Sequence, residues 1–200
     1  MEAEPMFVTT EISLPWTRAS VKGLRNLIYI LYAKQHLINK ATGKGTILIQ
    51  EIVVDQLQHN IPKSIEAFAT LVQECNAQGS IAGLRFDFEV NHLAVAYPFS
   101  ASWDVVNAYM ELTSHMFFQA IKTESRPRQK KLEPENEKFY MRQWLNQLGM
   151  GGKSYIEVRR VLLQNLKGYA SFQTKAQAQR HKRMIAEIRQ VHKEVMAEER

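Results

Sequence analysis

The period of hydrophobic and polar positions changes several times along the chain, and each change marks an element. In "MFVTTEISLP", Phe7, Thr9 and Glu11 alternate with Val8, Thr10, Ile12 and Leu14, β-branched residues prevail, and Pro15 ends the strand that this predicts. Leu24, Leu27, Ile28, Leu31, Ile38 and Ala41 then recur at spacings of three and four, which predicts a central buried helix stopped by Gly43. "GTILIQEIVVDQLQHNIP" fits two templates. Its β-branched content suits a strand, while Ile49, Ile52, Val53 and Leu57 suit a helical face, so residues 47–57 stay open between the two. After Pro62 the stripe Ile65, Phe68, Leu71 and Val72 predicts a helix ending at Gly79. Leu84, Phe86, Phe88 and Val90 alternate with Arg85, Asp87 and Glu89, and a turn near Asn91-His92 leads into Leu93 to Tyr97, the pattern of a hairpin. Ser102 is placed to cap a helix whose wide apolar face runs from Val105 to Ile121.

These elements predict an α+β unit over residues 1–124, a small and mostly antiparallel sheet with helices on one face. "ESRPRQKKLEPEN" interrupts it with two prolines, cations and almost nothing apolar, so residues 125–134 read as a mobile basic linker. Beyond it every segment is helical, at about 135–148, 154–166 and 173 to the end. Residues 135–200 are therefore expected to form a helical, basic domain.

"LGMGGKSYIEVRR" contains Gly152-Lys153-Ser154, the second half of a nucleotide-binding Gly-x-x-x-x-Gly-Lys-Ser/Thr loop. Gln147 stands where the first glycine is required, and a helix precedes the loop where a strand is needed. The phosphate-loop reading therefore fails. Gly149 to Gly152 become a joint between two helices, its glycines taking up positive φ, and Ser154-Tyr155-Ile156-Glu157 reads as a capping box for the second helix. That helix offers Ile156, Val158, Val161, Leu162 and Leu166 for packing, and Arg159, Arg160, Gln164 and Lys167 for solvent or a partner. Such a pair suits a helix-turn-helix reader of DNA or a hairpin that only packs on the sheet, with the packing reading preferred.

Charge adds the most to this picture. Up to Ser125 there are 9 Lys and Arg against 12 Asp and Glu, a net of −3; from Arg126 there are 17 against 8, a net of +9, which together give +6. An excess confined to one end points to a polyanionic partner. Its candidate contacts are Arg126, Arg128, Lys130 and Lys131 in the linker, Lys153 at the joint, and Arg180, Lys182, Arg183, Arg189 and Lys193 on the last helix, together with Arg159, Arg160, Gln164 and Lys167. Met184, Ile188, Val191 and Val195 form a stripe on the last helix that is expected to dock on the body. Phe139, Tyr140, Trp144, Tyr155, Tyr169 and Phe172 read as core in preference to base-stacking platforms.

No catalytic constellation is visible. The six histidines are scattered, with none at HExxH or facial-triad spacing, and Asp87 and Glu89 read as a solvated strand face. Cys75 is alone, which excludes internal disulfides and CxxC metal knuckles and suits a reducing cytoplasm. No segment reaches the length of a membrane helix, and the start lacks the apolar run of a cleavable signal. The expectation is a cytoplasmic protein that is not an enzyme.

From Asn136 to Phe172, "NEKFYMRQWLNQLGMGGKSYIEVRRVLLQNLKGYASF", the chain resembles the "virulence-related protein" family of small proteins carried on bacterial integrative and conjugative elements and prophages. The resemblance rests on Asn136, Glu137, Lys138, Arg142, Trp144, Leu145, Leu148, Gly149, Tyr155, Arg159, Leu162, Asn165, Leu166, Gly168 and Phe172. It extends more weakly to "ISLPWT", "LINKATG" and "AYPF". It implies mobile-element cargo that is cytoplasmic and needs no cofactor, and it assigns no catalytic residue. It also implies binding to nucleic acid or to a host-defence nucleoprotein such as a CRISPR effector, as an inhibitor of the anti-CRISPR type. A helix-turn-helix regulator of the element is the alternative, and an uncharacterised enzyme the third reading.

Overall fold

The structure, a computed structural model, describes residues 8–17, 19–125, 127 and 129–198, with side chains through Val191. It is α+β. Strand β1 (Thr9–Pro15) leads to the central helix α1 (Val21–Thr42), followed by β2 (Leu48–Ile49), α2 (Glu51–His59) and α3 (Ile65–Ala77). β3 (Ile81–Ala82), β4 (Leu84–Asp87) and β5 (His92–Pro98) come next, then α4 (Trp103–Lys122), α5 (Glu137–Gln147), α6 (Ile156–Leu163) and α7 (Lys175–Glu198).

Strand order β1-β5-β4 makes an antiparallel sheet, with Ile12 opposite Val95 and Phe86 opposite Leu93. Period-two alternation sends Ile12, Leu84, Phe86, Leu93, Val95 and Tyr97 into the core, while Glu11 and Arg85 form an exposed ion pair at 3.0 Å on the outer face. One face is covered and the other is wet. Tyr97 stacks on Tyr109 of α4 at 4.5 Å, and its hydroxyl is bonded to Thr113 at 2.8 Å. Burial raises the phenol far above its ordinary range, so this hydroxyl stays protonated.

α1 is capped by Ser20, whose Oγ accepts from the Gly23 amide, and ends on Gly43 at φ 85°, as its sequence predicts. Its buried polar residues act as fasteners. Asn26 donates to the carbonyls of Ala120 and Thr123, tying α1 to the end of α4. Gln35 bonds both the N–H and the C=O of Ile49, and Asn39 does the same for Ile47. These two carboxamides stand in for a neighbouring strand, which resolves residues 47–57: a two-residue strand first, then the helix α2.

Met141, Trp144 and Leu145 of α5 and Val158, Val161 and Leu162 of α6 lie in the same hydrophobic cluster as α1 and α4. α6 packs on α4 and α1 through this apolar face. The segment before α5 is pinned in part, since the Leu132 amide donates to the Ala33 carbonyl and the Lys131 ammonium lies over the Tyr32 ring.

Four expectations need correction. Tyr169, read as core, is 43% exposed. The Ser154-x-x-Glu157 capping box does not form: residues 153–155 close as a 3-10 turn, no side chain caps α6, and Glu157 pairs with Arg160 at 2.6 Å instead. At the joint only Gly149 takes positive φ, at 88°, whereas Gly152 has φ −70°. The described part of the apolar stripe of α7 is not docked, because Met184, Ile188 and Val191 remain 48%, 56% and 58% exposed; the Val195 side chain lies outside the described residues.

Candidate nucleic-acid interface

The segment from Gln164 to Thr174 joins α6 to α7, and it is fastened at nearly every step. Asn165 donates to the Ala41 carbonyl at the end of α1. Glu137, buried at the start of α5, accepts the Lys167 amide at 2.9 Å through one carboxylate oxygen. Its other oxygen faces Lys40 at 3.3 Å and His36 at 3.6 Å. Burial alone would raise this carboxyl, but the Lys167 amide, Lys40 and His36 outweigh it and hold the group below its ordinary value. Asn136 works in two directions: its Oδ1 accepts the Tyr169 amide at 2.9 Å and caps α5 through Phe139, while its Nδ2 donates to the carbonyls of Phe172 and Gln173. Gly168 passes so close, at φ 96°, that a Cβ there would stand 2.1 Å from Asn136 Oδ1. Arg142 adds a bond to Ser171.

α7 then begins with a reciprocal cap. Thr174 Oγ1 accepts the Gln177 amide, and Gln177 Oε1 accepts the Thr174 amide. This Thr-x-x-Gln box was available in the sequence and was missed, whereas the Ser-x-x-Glu pattern at residue 154 pointed to the wrong helix.

Beyond this root, where the Phe172 ring still meets His181 at 4.9 Å, no helix or strand packs extensively on α7 among the described residues. Lys175, Arg180, Lys182, Arg183 and Arg189 are all exposed and have no carboxylate partner among the described residues. Helical geometry places Lys175, Lys182 and Arg189, at spacings of seven, on one side, about 150° round from the Met184, Ile188 and Val191 stripe. The first turns hold no acidic residue before Glu187. Lys175, in the first turn, opposes the helix macrodipole at a cost of about 0.3–1 kcal/mol.

The other sequence-predicted contacts divide. Lys130, Lys131, Lys153, Arg160, Gln164 and Lys167 are exposed, with Arg160 engaged by Glu157 and Lys131 by Tyr32. Arg159 turns inward and donates to the carbonyls of Met150 and Gly152, so it locks the helix joint. Arg126, Arg128 and the Lys193 side chain lie outside the described residues.

Two histidine clusters emerge from the fold. His36 joins the Glu137 clamp. His115 bonds the Leu148 carbonyl through Nδ1 at 2.8 Å and, through Nε2, meets the Tyr155 hydroxyl at 3.0 Å and Glu111 at 3.4 Å. Only the Glu111–His115 pair, at i,i+4, carried a local signal. Both clusters hold the C-terminal helices to α1 and α4. Among the described residues no group of three or more His, Cys, Asp or Glu could hold a metal, and no helix is long and apolar enough to cross a membrane. Cys75 is buried, its thiol donating to Gln56 Oε1 at 3.0 Å, and burial pushes it above the ordinary thiol range. On the outer face of α4, Trp103, Met110 and Phe118 are exposed, Trp103 by 72%.

Comparison with protein-family models, with curated proteins and with solved structures finds no match to this chain.

Proposed function

We propose that this chain is a non-enzymatic binding protein that grips nucleic acid, alone or within a nucleoprotein, through its helical C-terminal half. The observation that carries the proposal is α7: a helix of 24 residues, fastened at its root by Asn136, Glu137 and Gly168, whose exposed cations Lys175, Arg180, Lys182, Arg183 and Arg189 have no carboxylate partner among the described residues. A root so heavily bonded fixes the direction in which the helix leaves the body, and its cations supply the sequence-independent attraction that phosphates provide. The resemblance at Asn136 to Phe172 adds mobile-element or prophage cargo, with an anti-CRISPR inhibitor of a defence nucleoprotein as the form the proposal takes. Six of the fifteen residues that carry that resemblance, Asn136, Glu137, Arg142, Asn165, Gly168 and Phe172, fasten this root, so they support the presentation of α7 more than contact with a target.

A second reading, recognition of the protein part of such a complex, is favoured by the exposed Trp103, Met110 and Phe118 face, since exposed aromatic anchors suit protein interfaces. The readings separate in one experiment. The full chain is titrated into labelled duplex and single-stranded DNA and RNA at low salt, and pull-downs from host cytoplasm are run with and without nuclease. Binding to bare nucleic acid supports the first reading. A stoichiometric protein partner that survives nuclease, with no affinity for nucleic acid at low salt, replaces it with the second.

A further inference from the structure

β1 is an edge of its sheet, because β5 lies on one side of it and no strand lies on the other among the described residues. The Trp16 amide donates to the carbonyl of Asn91 opposite, so the even-numbered residues of β1 turn their N–H and C=O toward β5. Thr9, Glu11 and Ser13 therefore aim theirs outward, as does the Pro15 carbonyl, and no backbone bond reaches them among the described residues. Sheet edges are ordinarily blunted by shortness, by lysine or by proline. β1 runs for seven residues, holds no lysine or arginine, and carries its proline only at the end. Its one charge, Glu11, is already paired with Arg85 of the same sheet.

The helix beneath this edge is open on the same side. α4 packs on β1, α1 and α6, and Tyr109 and Thr113 carry it under β5 through their contacts with Tyr97. α1 packs on β2 at the far end of the strands, so the face of α4 turned away from α1 looks outward past β1. On that face Trp103, Asn107, Met110, Ser114 and Phe118 fall within about 80° of arc, and none is charged. The stripe is self-complementary. Turned end for end about Met110, it sets aromatic against aromatic, neutral polar against neutral polar, and Met110 against itself. Tyr97 lies opposite Thr10 in the sheet, so the middle of β1 stands over the middle of α4, and one two-fold axis serves both layers. Antiparallel pairing of two β1 strands about Thr10 or Ile12 sets Glu11 against Thr9 or Ser13, never against itself. Paired strands lie about 4.8 Å apart, so a helix seated under β1 and β5 stands about 5 Å from that axis and about 10 Å from its copy, the spacing of packed helices.

We infer that β1 and the outer face of α4 bind a second copy of this chain in a two-fold dimer, which joins two sheets edge to edge above a pair of antiparallel α4 helices. The dimer uses no part of α7 and so stands apart from the nucleic-acid reading, but it occupies the face that favours the protein-target reading.

The test is sedimentation of the full chain after nuclease treatment, in about 0.5 M salt, where phosphate contacts are suppressed. The expected result is a dimer with a Kd in the micromolar range or tighter. Ser13→Pro removes an outward N–H that β5 does not use, and should weaken the dimer about tenfold or more while the far-UV spectrum and Tm stay near those of the parent. Met110→Glu and Met110→Lys each set like charges across the axis, and each alone should weaken the dimer comparably. An equimolar mixture of the two should restore association, a rescue expected only where Met110 faces Met110 of a second copy. A chain that stays monomeric at about 100 μM, a dimer indifferent to Ser13→Pro, or a mixture of the two Met110 variants that associates no better than either alone would overturn the inference. None of these results bears on whether α7 grips a strand.

Discussion

Glu137 offers the sharpest test of how α7 is held. Its side chain is 6% exposed, and it accepts a backbone amide from Lys167, thirty residues away, while facing Lys40 and His36. Glu137→Ala orphans that amide, and loss of a hydrogen bond to a charged group costs about 1.5–3 kcal/mol. Lys40 is 44% exposed, so its pairing adds no more than about 0.5 kcal/mol after solvent screening. The expected total is about 2–3 kcal/mol, which in a chain of this size lowers Tm by roughly 5–10 °C. Glu137→Gln keeps an acceptor for the amide and should cost about 1 kcal/mol, near a neutral hydrogen bond. The carboxyl is held below its ordinary value when folded. Its stabilisation is therefore complete above the ordinary carboxylate range and is lost as pH falls through the depressed folded value, so Glu137→Gln should flatten the acid side of the stability curve. Urea melts at neutral pH and along an acid series, with limited proteolysis of residues 168–174, measure all three. A Glu137→Ala protein within about 0.5 kcal/mol of the parent, the range of an ordinary surface change, would refute the clamp.

Other substitutions probe the same root. Gly168→Ala combines a left-handed backbone with a Cβ placed 2.1 Å from Asn136 Oδ1, and should destabilise by about 2–4 kcal/mol in a thermal melt, more than left-handed strain alone. Arg159→Met keeps the side-chain stem and removes the bonds to Met150 and Gly152; it should cost about 1–3 kcal/mol without altering the salt slope of nucleic-acid binding, because the guanidinium faces the joint. Thr174→Ala should remove about 1 kcal/mol of cap energy, seen as faster amide exchange in the first turn of α7.

The particular residues show why some of this was legible in the sequence and some was not. α3, α4 and the β4–β5 hairpin follow from spacing because each buries one continuous face, whereas α1 follows from a long apolar run that is buried nearly all round from Asn26 to Ala33. β2 does not, since its two residues pair with β3 while Gln35 holds Ile49 and Asn39 holds the preceding Ile47 from another element, pairings that no local window contains. Glu137 opens a helix and reads as an ordinary first-turn acid; only Lys167 and the end of α1 make it a buried clamp. The two capping-box patterns look alike on paper. At Ser154 the turn tightens into 3-10 geometry while Arg159 takes the nearby carbonyls, and at Thr174 nothing competes. The α7 stripe was legible as amphipathic, but spacing cannot say whether a surface exists to cover it. The exposed cations of α7 were readable from composition, whereas Arg159 was not distinguishable from them until the joint folded around it.

The most direct measurement is the salt dependence of nucleic-acid affinity for the parent and for Lys175→Gln/Lys182→Gln/Arg189→Gln, which empties the ridge and leaves the root untouched. With about four to five phosphates neutralised by α7, log Kd should rise against log salt with a slope of about 4 on duplex DNA, or roughly 200–300-fold weaker binding between 50 and 200 mM salt. The triple variant should lose close to three charges' worth of that slope. An unchanged slope in the variant, or no affinity in either protein at 20 mM salt, would contradict the role given to α7.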